Sequence, residues 1–207
     1  RGRRRVVAML NRAPADALVS RHTHPGDGFL FERGYTVASI GWQWDVHRSD
    51  ALMGLSAPCA MRDGLAVRGQ TMVEIRPGER VSTWLLADRI HQPMPAAAGE
   101  QSEAVLYVRD FEDGDDTVIA RDRWEFARRT DSGVLEPSAE HIYLEGGFDP
   151  GRIYQIVYKT DYAPIAGLGL LALRDVAPFL RNAVSDNPTA GGFSALIAWG
   201  VSQTGRM

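Results

Sequence analysis

Apolar residues along this chain fall into two kinds of run, and the contrast divides it. Arg5-Val-Val-Ala-Met-Leu10, Tyr35-Thr-Val-Ala-Ser-Ile-Gly-Trp42 and the stretch from Phe193 to Gly200 are nearly continuous. Strands of a parallel sheet, buried on both faces, carry this pattern. Residues 6 to 42 then read as one strand–helix–strand unit, with Asp27 capping a short helix through Phe29, Leu30 and Arg33 that ends at Gly34. From about 51 to 160 the apolar pieces are shorter, around Val67–Ile75, Val81–Leu86, Ala104–Val108, Thr117–Phe126 and Ile153–Tyr158. Pro77-Gly78, Asp113-Gly114 and Asp149-Pro150-Gly151 separate them, which predicts an inserted antiparallel β region. Pro93-Met-Pro-Ala-Ala-Ala-Gly99 reads as a loose connection inside it. Helical spacing returns between Ala166 and Asn182 in Leu168, Leu171, Ala172, Val176, Phe179 and Leu180, with Pro178 bending or shortening the end. The expected fold is a partial, doubly wound α/β domain over residues 1–207 with a mostly parallel sheet. Its parts are the first unit (5–50), the β-rich insertion (51–160) and a helix, strand and sharp turn (161–207).

The last apolar run stops in a turn of small residues carrying Ser202, with Gly200 two places before it and Gly205 three after. A tight strand-to-helix turn strains its central residue and needs small neighbours, so Ser202 is a candidate nucleophile on an elbow. Thr204 is bulkier than the second glycine of G-x-S-x-G, and Gly205 arrives one place late. The plain alternative is an ordinary strand–turn–helix junction, since a Gly-rich chain produces this spacing by accident.

Composition changes this picture little. A chain of 207 residues can bury a full core, and a net charge of -3 with interspersed signs gives no reason to expect nucleic acid or an anionic membrane. Arg1-Gly-Arg-Arg-Arg5 reads as a solvated edge. No apolar stretch is long enough to span a bilayer and no leader peptide stands at the front, while the compartment and oligomeric state stay open. Starting at Arg1 and stopping two residues past Gly205, the chain reads as an excerpt of a longer protein. Its one cysteine, Cys59, excludes an intrachain disulfide and reads as a small buried hydrophobe. His22 and His24 alternate as metal ligands can, but with no carboxylate or cysteine beside them they read as exposed loop histidines. No metal or cofactor is expected.

Asn11-Arg12, the block Gly28 to Asp45, Gly147-Phe-Asp-Pro-Gly-Arg-Ile-Tyr154 and Gly200-Val-Ser-Gln-Thr-Gly-Arg206 together resemble a bacterial family of large, mostly uncharacterised α/β-hydrolase-domain proteins. The elbow is also similar to that of glucuronoyl esterases. The resemblance implies an α/β-hydrolase fold and a serine esterase acting through a Ser–His–acid triad on a small-molecule ester. Ser202 matches the nucleophile and Gln203 the residue whose backbone amide forms half of the oxyanion hole. The second amide comes from the loop after the first strand, with Arg12 or Ala13 the donor.

In that fold the order is serine, acid, histidine, and all five histidines precede Ser202, so the acid and the base are expected outside this chain. The 207 residues alone are then expected to be inactive. Asp45, Asp149 and Asp161 read as turn or capping residues. The insertion leaves the sheet after Trp42, at the carboxyl end of a strand, and is expected to wall the pocket unless it packs on the far face. A reading of a different class is a noncatalytic carbohydrate- or protein-binding module whose β region presents Trp84, Trp124, Tyr107 and Tyr143, although strand aromatics are commonly core.

Overall fold

The chain opens with β1 (Arg4–Leu10), a single helical turn α1 (Phe29–Glu32) and β2 (Tyr35–Ile40). There follow β3 (Met61–Arg62), β4 (Leu65–Ala66), β5 (Gly69–Ile75), β6 (Val81–Leu85), β7 (Val105–Arg109) and β8 (Thr117–Ile119). Then come β9 (Trp124–Glu125), β10 (Ala127–Arg129), β11 (Leu135–Pro137), β12 (His141–Phe148), β13 (Ile153–Thr160), α2 (Leu168–Arg181) and β14 (Phe193–Gly200). This computed structural model describes residues 4–10, 27–46, 54–88, 91–99, 101–182 and 193–200. It divides into two compact units: Arg1–Pro58 with Ile165–Met207, and Cys59–Pro164.

In the first unit β1 lies between β14 and β2, and both pairings are parallel. A strand with ladder partners on both sides suits the unbroken run Val6-Val-Ala-Met-Leu10. The turn α1 starts where the Asp27 carboxylate accepts the Phe29 N–H at 3.0 Å. It stops at Gly34, whose φ of 76° suits glycine. The amphipathic α2 lays Leu180 against Ala38 and Leu196, which share one face of the sheet. On the opposite face of β14, Ile197 and Trp199 are exposed. Pro178 does not end α2, which runs on to Arg181.

Among the described residues every strand pairing of the second unit is antiparallel. A four-stranded sheet ordered β5-β13-β7-β8 and a three-stranded sheet ordered β6-β12-β9 are accompanied by the hairpins β3-β4 and β10-β11. Alternate residues of the strands point inward, as in Leu106 and Val108 of β7 and Ile156 and Tyr158 of β13. They meet Val73, Ile75, Trp124, Ile142, Leu144 and Phe148 in one core. Phe148 and Tyr154 stack edge to face at 5.0 Å, and the Tyr158 hydroxyl donates to Met94 O at 2.5 Å. The segment 93–99 is not a loose connection. Ala96 and Ala97 are buried, with their N–H groups on Ala139 O (2.7 Å) and Lys159 O (2.8 Å). The Gln101 amide donates to Ala97 O and Lys159 O and accepts the Lys159 N–H.

The expected mostly parallel, doubly wound α/β sheet is therefore wrong. Among the described residues every strand from β3 to β13 pairs antiparallel, only β14-β1-β2 is parallel, and there are two α-helices. The physical reason is connectivity. Each added parallel neighbour needs a long crossover, usually a helix, whereas tight turns such as Arg62-Asp-Gly-Leu65 and Thr130–Val134 return the chain at once to an antiparallel partner. Cys59, expected to be buried, is half-buried in an isolated bridge to Pro164.

Candidate active site

Leu10 is the register partner of Ile40 on one side and of Gly200 on the other, so the three parallel strands finish at one edge of their sheet. Gly200 is half-buried at the end of β14. Ser202, Gln203, Gly205, Arg12, Ala13, His22 and His24 lie outside the described residues. The chain after β2 runs through Gly41 and Trp42, and α2 packs directly on it. A Cβ at Gly169 would stand 2.2 Å from Trp42 O, so no side chain fits there without a backbone shift. This contact holds the start of α2 against the segment that leaves the carboxyl end of the sheet.

The histidines among the described residues, His91 and His141, are both in the antiparallel unit. His91 Nδ1 lies 3.7 Å from Asp88. His141 Nδ1 lies 3.0 Å from Ser138 Oγ, and burial holds its pKa below the usual histidine value, with Arg128 acting in the same direction and Glu140 against. Ser138 Oγ also accepts the Glu140 N–H at 3.3 Å, which marks a hydroxyl-capped turn. Asp149 stands in the turn before β13, and its carboxylate is taken by Arg80. Among the described residues no group of three or more His, Cys, Asp or Glu side chains could hold a metal ion. No helix among them is long and apolar enough to cross a membrane.

Of the aromatics named from the sequence, Trp124 is core, 3% exposed, and Trp84 packs against the same core. Tyr107 and Tyr143 are half-buried. Sequence reasoning missed the polar residues around Trp124. Arg121, Asp122, Arg123, Trp124, Glu125, Tyr143 and Glu145 line a groove of about 430 Å³. The signal available was the alternation of charge on either side of a tryptophan in Arg121-Asp-Arg-Trp-Glu125. Comparison of the chain with family models, curated proteins and solved structures finds no match.

Proposed function

We propose that this chain carries the nucleophile of a serine hydrolase acting on carboxylic esters, with Ser202 as the attacking residue. The observation supporting it most directly is the parallel register that pairs Leu10 with Gly200. The sequence continues from these partners into Asn11-Arg12-Ala13 and Val201-Ser202-Gln203, so the candidate nucleophile and candidate amide donors follow neighbouring strand ends. Ligands of parallel sheets bind beyond the carboxyl ends of the strands. The four sequence blocks resembling hydrolase-domain proteins support the same reading.

In the reaction, Ser202 Oγ attacks the ester carbonyl while a histidine takes its proton, and the Gln203 amide with that of Arg12 or Ala13 stabilises the oxyanion. The alcohol leaves with the proton, and water then releases the acid from the acyl-enzyme. His91 and His141 are not assigned as the base, since both precede Ser202 whereas the expected order is serine, acid, histidine. The test is hydrolysis of p-nitrophenyl acetate and bulkier esters by the gene's complete product and its Ser202→Ala variant. Loss of the nucleophile should lower kcat by several orders of magnitude, roughly 10⁴ or more. An unchanged rate removes Ser202 from the mechanism.

A further inference from the structure

We infer that the groove beside β9 and β12 is a binding site for a neutral saccharide. It lies wholly within the antiparallel unit and does not depend on the reading of Ser202. Its donors are held in place before any ligand arrives. The Arg121 guanidinium lies 4.0 Å over the Trp124 ring and donates to Trp124 O at 2.6 Å. Arg123 Nε meets Glu145 Oε2 at 2.5 Å. Arg129 covers the Tyr143 ring at 5.2 Å and donates to its hydroxyl at 3.1 Å, leaving the phenol proton free to donate onward.

The acceptors are open. Glu125 sits directly across the ladder from Tyr143, which makes the two side chains neighbours on one face. Neither Glu125 nor Asp122 has an ion-pair partner among the described residues. The groove is lined by Arg121 and Arg123 against Asp122, Glu125 and Glu145, and Arg129, outside the lining, reaches over Tyr143 and evens the charge. An anionic ligand would meet the open carboxylates and a cationic one the fixed guanidiniums, whereas a sugar hydroxyl can accept from a guanidinium and donate to a carboxylate at once. The volume is within the range of small-molecule sites, roughly 300–1,000 Å³. As stabilising elements these exposed charges contribute little, so stability alone does not account for their concentration around one concavity. Because Trp124 is buried, the polar rim does the recognising, and not a bare aromatic platform.

The gene's complete product would be screened against an array of neutral mono- to tetrasaccharides, and the strongest binder titrated by calorimetry. Glu125→Ala and Asp122→Ala, both exposed positions, should each weaken it by about tenfold. Sodium phosphate and spermidine should fail to displace it. The inference is overturned if no neutral glycan binds, if both variants bind like the wild type, or if phosphate or spermidine competes at the same site.

Discussion

Replacing Gly169 by alanine sets two effects of known size against each other. In an exposed helix the change stabilises by about 1 kcal/mol, because glycine loses more backbone freedom on folding. Here the new Cβ would stand 2.2 Å from Trp42 O and 3.1 Å from Trp42 C and Cε3, where real Cβ atoms essentially never come within 3.0 Å. The nearest obstacle is a backbone carbonyl, which cannot swing aside like the end of a long side chain. Either α2 or the strand exit must retreat, and overpacking of this kind costs about 1–3 kcal/mol, occasionally more. With the cost near the upper value, the net destabilisation is about 2 kcal/mol, or a fall in Tm of roughly 4–8 °C for a chain of this size. Gly167→Ala is the control, with helical φ and nothing within 4 Å of its new methyl group. It should stay within about 0.5 kcal/mol of the wild type. Urea unfolding, with hydrogen exchange of the α2 amides to localise the effect, measures both. A Gly169→Ala protein as stable as the wild type would refute the close packing of α2 on Trp42.

Tyr158→Phe removes the hydroxyl that donates to Met94 O and should cost roughly 1–2 kcal/mol by urea unfolding, with the strands otherwise unchanged. Burial raises the Tyr158 pKa, so in an alkaline absorbance titration this phenol should ionise only with unfolding. His141 has a pKa lowered by burial, so the folded protein takes up its proton less readily than the unfolded chain. Its contribution to stability is complete above the unfolded value of about 6.5 and is lost as pH falls from there through the folded value. Between about pH 7.5 and 5.5 the wild type should therefore lose more stability than His141→Asn. Equal losses would show that His141 is not the group responsible.

The two kinds of apolar run were legible in their continuity, but the burial on both faces expected of the continuous ones is not found in β14, where Ile197 and Trp199 are exposed on the face away from α2. Strands read at 67–75, 81–86, 104–108 and 153–158 appear as Gly69–Ile75, Val81–Leu85, Val105–Arg109 and Ile153–Thr160, and the helix read at 166–182 appears as Leu168–Arg181. The parallel alignment of β1, β2 and β14 also followed from their continuous runs, but extending it to most of the sheet did not. β12, the middle strand of its sheet, leaves no clear strand pattern in the sequence. Gly146 and Gly147 interrupt its alternation and look like a turn, whereas they form an irregularity within the strand at φ 84° and 87°. The segment 117–126 reads as one strand in sequence, but it splits into β8 and β9, which join different sheets around a 3₁₀ turn at Arg121–Arg123. No local periodicity records such a switch. The groove was hidden for a related reason: the pairing of Leu144 with Trp124 brings Glu145 beside Arg123, a register that composition does not carry.

The central claim, that Ser202 is a nucleophile, is tested most directly by treating the gene's complete product with a fluorophosphonate and locating the adduct by peptide mass spectrometry. The account predicts a single phosphonylated serine at position 202, absent from Ser202→Ala and suppressed by competing ester. Equal labelling of the two proteins, or an adduct at another serine with Ser202 unmodified, would contradict it.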